Sequence, residues 1–491
     1  MSGIFSFGKS ANGETGNLLR ESLRPHRKVL WQLILFSMIS NLAALAMSLY
    51  MMQIYDRVLT SQSRDTLFFL TVAIILTLTL GGILEGIRQK VANRVGTWMA
   101  QKLAPSLLVR SLEQRLTSSN TRLEALRELA QVKNFISTPT VFSVIDMLWV
   151  PLYLVVIFLL HPVFGVISTV GAALLLGLTF YNERGTRGAI KETQALTAKN
   201  MQYAECLVRN SEVIDAMGMS KNTVTHWANR YFEETEAVDK TQIFSSNILA
   251  ITKFVRNVVQ VALLGFGAML VLNQQLTGGG MIAGSIIAAR LLAPIEASMS
   301  YWKQFVIARH SYQKLLQFLD IPAARPSGMA LPVPTGKLSV EGLTYAVAGM
   351  KSPILKNVSF EIEAGTSLAI VGPSASGKTT LSRLLVGVLK PNVGHVRLDG
   401  ADTSEWLRQD LAPNVGYLPQ DIELLPGTIR QNIARFNPDA SDADVIAAAK
   451  LADCHDMILQ LEAGYDCMLT EGGHQLSGGQ RQRIGLARAL F

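Results

Sequence analysis

SLAIVGPSASGKTTLSRLL, residues 367–385, sets an apolar run, Ser367 to Val371, directly before a glycine-bracketed loop and a helix-forming segment. Within it Gly372, Pro373, Ser374, Ala375, Ser376, Gly377, Lys378 and Thr379 have the spacing of a phosphate-cradling loop, and Thr380 follows. The two glycines let backbone N–H groups turn inward around phosphate oxygens, Lys378 can neutralise the β- and γ-phosphates, and Thr379 can ligate Mg²⁺ at the helix N-terminus. Strand, loop and helix in that order predict a nucleotide-binding α/β domain. By itself the loop specifies no more than nucleotide.

Working outward, KLSVE, NVSFEI, SLAIV and HVRLDG are short β-rich runs that alternate with helical ones. They begin after DIPAARPSGMALPVP, residues 320–334, whose prolines and small residues read as a linker. Upstream the texture is different. Of 491 residues, 49% are hydrophobic and only 17% charged, with a mean hydropathy of +0.27, whereas soluble domains carry about a quarter charged residues. Much of the chain is expected to meet lipid.

Val29 to Met52 and Thr66 to Leu84 are each long enough to span a bilayer, joined by the polar link QIYDRVLTSQSRD. Met147 to Leu160 and Val163 to Tyr181 form a second pair about His161-Pro162, and Ile251 to Leu272 and Gly278 to Ile295 a third about NQQLT. Between the pairs, residues 95–135 and 182–245 are polar yet helical in period, which predicts two long cytoplasmic hairpins. Arg20, Arg24, Arg27 and Lys28 before the first span, and Arg88, Lys90 and Arg94 after the second, place both flanks in the cytoplasm. The expected layout is a cytoplasmic tail over 1–25, six helices over 26–319, a linker over 320–336 and the nucleotide domain over 337–491.

The net charge of +8 sits beside apolar segments, where anionic headgroups account for it; no basic, aromatic-interleaved face points to nucleic acid. Cys206, Cys454 and Cys467 lack metal-ligand spacing and are expected to be reduced. The N-terminus carries no compact apolar stretch with a small-residue cleavage site, so the first span is expected to serve as its own insertion signal.

Leu476-Ser477-Gly478-Gly479-Gln480 opens the last helix-forming run, and Val415-Gly416-Tyr417-Leu418-Pro419-Gln420-Asp421 precedes it. With the phosphate loop upstream, these resemble the signature and Gln loop of ATP-binding-cassette (ABC) proteins. A Ser hydroxyl and exposed Gly N–H groups at a helix N-terminus make a second anion-binding surface. The resemblance implies two cassettes facing head to tail in a homodimer, with Lys378 of one copy and Ser477, Gly478, Gly479 and Gln480 of the other holding one ATP. It implies for Gln420 a contact to Mg²⁺ or the attacking water, and for Gly427 to Ile433 a contact segment toward the membrane helices.

Two departures follow. The aromatic residue on which such cassettes stack adenine falls in register at Val347, with Tyr345 two residues early. The family pattern also continues, after the signature helix, with an apolar strand ending Asp-Glu and then a His, none of which occurs by residue 491. The cassette is therefore expected to be incomplete here and hydrolysis by this polypeptide impaired.

Six spans and a C-terminal cassette resemble the ABC exporter half-transporter. Tyr50 to Leu59, Val144 to Pro151 and Glu212 to Met219 look like type I secretion ABC transporters, the group exporting proteases and repeat-toxin-like proteins. That resemblance implies an inner-membrane homodimer, a periplasmic adaptor, an outer-membrane channel and unfolded protein substrates with an uncleaved C-terminal signal, and no N-terminal peptidase domain. A lipid or drug exporter, and a nucleotide-gated protein that does not hydrolyse ATP, are the alternatives. Asp146, Lys253, Arg256 and Arg290 fall at or within spans; the first three read as anchors at the membrane edge, and Arg290 as lining the path, pairing between helices or snorkelling.

Overall fold

A computed structural model describes residues 27–117, 124–320, 331–347, 352–404, 406, 408–473 and 475–491. The tail, the cluster at Arg20 and Arg24, and most of the linker lie outside them. The chain divides into two compact units, Met1–Ser111 with Thr121–Pro322 and Leu112–Asn120 with Ala323–Phe491.

Among its described residues the first unit consists of helices and the short turns between them. In chain order it comprises α1 (Arg27–Gln53), α2 (Arg64–Thr117), α3 (Glu124–Ser137), α4 (Thr140–Asp146), α5 (Val150–Leu160), α6 (Pro162–Arg209), α7 (Ser211–Ala216), α8 (Ser220–Leu272), α9 (Gly278–Ser300) and α10 (Trp302–Asp320). Six helical stretches among the described residues are long and apolar enough to cross a membrane. The helices α2, α6 and α8 run on from their spans as single pieces of 54, 48 and 53 residues, because their polar continuations keep the helical period. Phe68, Phe69, Leu76 and Ile83 of α2 are exposed; a helix apolar all round suits lipid or a covering chain rather than water.

Packing centres on α5, α6, α8 and α9, whose Tyr153, Ile157, Phe164, Leu175, Leu263, Leu291 and Ile295 form one buried cluster. Gly284 is what allows it. A Cβ there would sit 2.3 Å from the Phe164 ring, so the small residue lets α9 and α6 close on each other.

The link between the first two spans departs from the sequence expectation. QIYDRVLTSQSRD is helical apart from Gln62 and Ser63, passing through a wide π turn at Ile54–Val58. The cause lies far along the chain: Asp56 accepts from Thr277 Oγ1 at 2.6 Å and from the Gly279 N–H at 2.8 Å. Its carboxylate thus caps the N-terminus of α9, where negative charge is favoured by the helix dipole. Asp56→Ala is expected to cost roughly 1 kcal/mol and to speed hydrogen exchange at Gly279, whereas Asp56→Asn keeps an acceptor and most of the protection. Unchanged exchange in Asp56→Ala would remove the capping role.

Asp146 and Arg256 are more than edge anchors. Asp146 Oδ1 accepts from Ser37 Oγ at 2.6 Å, Asn41 Nδ2 at 3.1 Å and Arg88 Nη1 at 3.0 Å. Arg88 is buried, pairs also with Glu85 at 2.8 Å and lies 4.3 Å over the Phe142 ring. Trp149 Nε1 donates to Ser37 Oγ at 2.9 Å, and Tyr153 OH donates to Asn41 Oδ1 at 2.9 Å. One polar network therefore ties α1, α2, α4 and α5 together, and it explains the charge in Val144 to Pro151. Arg256 pairs with Glu296 at 2.6 Å across α8 and α9. Arg290 is exposed and has no ion-pair partner among the described residues.

The second unit carries β1 (Leu338–Tyr345), β2 (Leu355–Ile362), α11 (Lys378–Leu385), β3 (Val393–Leu398), β4 (Ala401–Asp402), α12 (Arg408–Leu411), β5 (Gly427–Thr428), α13 (Ile429–Ile433), α14 (Asp442–Leu451), α15 (His455–Leu459), β6 (Met468–Leu469) and α16 (Gly478–Leu490). An antiparallel sheet runs in the order β2, β1, β3, β4, with Val340 opposite both Phe360 and Val396. Three of the four β-rich runs build it. Leu343, Leu355 and Val396 of the sheet meet Leu381 and Leu384 of α11. A second cluster joins Ile429, Val445, Ala449, Ile458 and Ile484 of α13 to α16.

The run Ser367–Val371 does not form a sheet strand, contrary to expectation, and Val371 is 87% exposed. Its composition favours extended backbone. A strand also needs a neighbour for its N–H and C=O groups, and none of the described segments pairs with it.

Candidate functional site

The phosphate loop keeps its shape without that pairing. Gly377 has φ +90°, a left-handed conformation, and a Cβ there would approach Leu355 to 2.9 Å; only glycine suits both demands. Ala375 is likewise left-handed at φ +66°. From Gly377 the chain enters α11, where the Leu381 N–H donates to the Gly377 carbonyl at 2.8 Å. Lys378 arches back over the loop, and its Nζ donates to the carbonyls of Gly372 at 2.7 Å and Pro373 at 2.8 Å. The ammonium is thereby held at the loop's mouth.

Below the loop opens a cleft of about 760 Å³, bordered by Lys378, Thr379 and Ser382 of α11, by Tyr417 and Gln420, and by Gln482 and Arg483 of α16. It brings together the cation, the hydroxyl and the amide that the sequence singled out at 378, 379 and 420. Residues 372–376 form the exposed rim of the loop, and Thr380 is half-buried in the first turn of α11. Thr379 and Gln420 are both exposed. A hydroxyl and an amide carbonyl are the hard oxygen donors that Mg²⁺ takes when phosphates supply further ligands. Among the described residues no cluster of three His, Cys, Asp or Glu offers a separate metal cage.

The signature lies elsewhere on the same unit. Ser477 caps α16 through a reciprocal pair, its hydroxyl accepting from the Gln480 N–H at 3.3 Å while Gln480 Oε1 accepts from the Ser477 N–H at 2.8 Å. Leu476 is buried beneath this cap, whereas Ser477, Gly478 and Gly479 are exposed. A Cβ on Gly478 or Gly479 would meet nothing within 4 Å, so packing inside one chain does not call for glycine at either position. Residues 477–480 do not border the cleft of their own chain.

Residues that the sequence reading passed over complete the frame. Arg435 donates to the carbonyls of Ala412 at 2.6 Å and Arg488 at 2.9 Å, tying the segment before Gln420 to the end of α16. Burial pushes its guanidinium pKa down, and burial followed by the Arg435 charge does the same for Arg488. Asn432, read as part of a contact segment, is wholly buried and bridges the Leu425 N–H and C=O at 2.9 Å each. An amide flanked by Ile429 and Ile433 was the signal for that structural role. Tyr345 packs onto the sheet cluster, whereas Val347 is exposed. Asp402 in β4 is pushed up by burial, but hydrogen bonds from Ser404 and His395 outweigh this and leave its pKa lowered.

An apolar bundle with six membrane-crossing stretches and a phosphate loop above an oxygen-lined cleft define an ATP-driven membrane transporter. Family models agree: the ABC transporter transmembrane region matches residues 30–295 and the ABC transporter domain residues 355–491. The chain belongs to the ABC transporter family, is a multi-pass membrane protein and binds nucleotide as a transport-coupled ATPase.

Within that family it groups with secretion proteins. It is 37% identical to the type I secretion system ATP-binding protein PrsD of Rhizobium meliloti (strain 1021), over 93% of this chain and 78% of that one. It is 29% identical to the leukotoxin translocation ATP-binding protein LktB of Mannheimia haemolytica, over 95% of this chain and 66% of that one. In fold it superposes on a bacterial Atm1-family ABC exporter with ATP bound, at TM-score 0.80 and 24% identity, covering 95% of this chain and 84% of the other. At that identity the likeness speaks for architecture alone.

Proposed function

We propose that this chain is the ATP-driven protein exporter of a type I secretion system, acting as a homodimer in the bacterial inner membrane with its N-terminus and nucleotide domain in the cytoplasm. A periplasmic adaptor and an outer-membrane channel complete the path, and the cargo is an unfolded protein carrying an uncleaved C-terminal signal. The proposed division is 26–319 for the membrane domain and 337–491 for the nucleotide domain. Similarity to secretion ATP-binding proteins supports this reading.

One observation carries the mechanism: the cleft has phosphate-binding groups, while the signature cap of the same chain is exposed and lies outside it. Residues 372–380 cradle the triphosphate of ATP through the backbone N–H groups of all but Pro373 and through Lys378. Thr379 and Gln420 would hold Mg²⁺, which offsets the charge on the β- and γ-phosphates. Gln420 also orients the attacking water. From the second copy Ser477, Gly478, Gly479 and Gln480 approach the γ-phosphate with hydroxyl and helix N-terminal N–H groups, so ATP draws two nucleotide domains together. Hydrolysis, which needs the Asp-Glu strand and His of the family pattern in addition to the residues above, would release the two domains and reset the membrane helices.

Gly479→Asp tests the shared site. The position has open space, so the variant is expected to fold and to bind ATP within about twofold of the parent, while the added carboxylate repels the partner's γ-phosphate and secretion falls to background. Secretion at parental levels, measured in culture supernatant, would defeat the shared-site reading.

A further inference from the structure

Helices α6 and α9 are level with each other near their starts. Phe164 and Gly284 are in contact, and both helices run the same way from their hairpin turns. Nineteen residues on from each stand Glu183, still within α6, and Lys303, reached across the turn at Tyr301 at the start of α10. That is ~28 Å at the helical rise, about where the hydrocarbon core ends.

From this level to ~12 Å beyond it, α6 and α10 line a narrow cleft of about 20 Å³, with the exposed Arg187, Lys191 and Arg309, and with His310 and Glu183, around its mouth. Arg187, Lys191 and Arg309 have no ion-pair partner among the described residues, so the cleft carries more permanent positive than negative charge. Burial, with Lys314 and Lys191 nearby, pushes the His310 pKa down against the opposing pull of Glu128. Beside the cleft lies a cavity of about 260 Å³ bordered by Asn182, Thr186, Ser245, Ser246 and Lys303, and Trp302 borders both. Asn182 is 1% exposed, yet its side-chain carbonyl has no hydrogen-bond partner, and neither does Trp302 Nε1. Buried polar atoms left unpaired are unfavourable. An indole at the edge of the hydrocarbon is also where amphipathic aromatics anchor.

We propose that cleft and cavity together bind the headgroup of an anionic glycerophospholipid. The phosphodiester lies over the mouth of the cleft, against the exposed side chains of Arg187, Lys191 and Arg309, and the hydroxyls of a glycerol head reach the 260 Å³ cavity beside Asn182 and Thr186. The inference rests on the orientation proposed above, which turns this end of the bundle toward the negatively charged cytoplasmic leaflet. It is independent of the cargo.

Native mass spectrometry of the full chain, released from neutral detergent after adding phosphatidylglycerol, phosphatidic acid or phosphatidylcholine in equal amounts, tests it. Phosphatidylglycerol occupancy is expected to exceed that of phosphatidylcholine by about tenfold. Arg187→Gln with Arg309→Gln should lower it about tenfold or more, since each basic residue near an anionic surface contributes a factor of roughly five. Lys at both positions should keep it within about threefold. The exposed Lys191→Glu alone should lower occupancy about fivefold, which leaves a readout if the double variant does not fold. Phosphatidylglycerol is also expected to exceed phosphatidic acid, which lacks the glycerol head, and Asn182→Leu should remove that preference while ATP binding stays unchanged. Equal occupancy by phosphatidylcholine, or parental occupancy in both the Gln pair and Lys191→Glu, would overturn the proposal. Displacement of lipid by micromolar glycerol 3-phosphate or inorganic phosphate would do the same, because it marks a site for free phosphate.

Discussion

Lys378→Ala is expected to weaken ATP binding by about tenfold to a hundredfold, the worth of charge-assisted hydrogen bonds to phosphate, and to reduce secretion to background. Among the described residues Lys378 Nζ bonds only to the Gly372 and Pro373 carbonyls, and the apolar contacts of α11 run through Leu381 and Leu384. The variant should therefore melt close to the parent. Lys378→Arg is not expected to rescue it, since a planar, forked guanidinium does not replace a compact ammonium inside a tight loop. Titration with a fluorescent ATP analogue decides the matter. Binding within twofold of the parent would remove Lys378 from the site, and with it the phosphate loop as the seat of nucleotide.

The second large effect concerns the membrane unit. Asp146→Leu strips Arg88 of its carboxylate partner across the bundle, and the Arg88 side chain is only 5% exposed. Breaking a buried pair from one side costs about 3–5 kcal/mol. The protein is expected to melt many degrees lower in detergent and to accumulate poorly. Arg88→Leu combined with Asp146→Leu should recover a substantial part of the loss, because the buried guanidinium, left with the half-exposed Glu85 alone, is then gone. A double variant as unstable as the sum of the two single ones would show that the charges are not coupled. Glu85, still beside Arg88 at 2.8 Å, sets how much the Asp146 variant loses, and its own removal in that background should deepen the defect.

What the sequence made legible, and what it left hidden, separates along physical lines. The spans were readable because lipid imposes a length and an apolarity that show locally. The shape of the loop at 372–379, a left-handed Gly377 leading into a helix, was readable because its glycine and lysine spacing is itself the geometry. Asp56 was not, because its role is to cap a helix that begins more than two hundred residues later, 221 positions away at Thr277. Asp146 resembled a membrane-edge anchor because Ser37, 109 positions earlier, and Arg88 carry no local sign that they converge on it. Ser367–Val371 read as a strand from composition, yet extended backbone becomes a strand only beside another one. Gln482 and Arg483 were not legible as cleft residues because no local spacing ties them to Lys378, more than a hundred positions earlier. Five or six positions on from Ser477, they lie one to two turns along the same helix.

The central claim is that two copies clasp one ATP between the phosphate loop of one and the signature of the other. Cysteine cross-linking measures this most directly. With Cys206, Cys454 and Cys467 replaced by Ser, copies carrying Ser374→Cys and copies carrying Gly478→Cys are mixed, since both positions are exposed. Disulfide-linked dimers pairing the two variants are expected to form rapidly with ATP and Mg²⁺ and only slowly without them. Cross-linking that ignores nucleotide, or that fails with ATP present while the protein still binds it, would contradict the account.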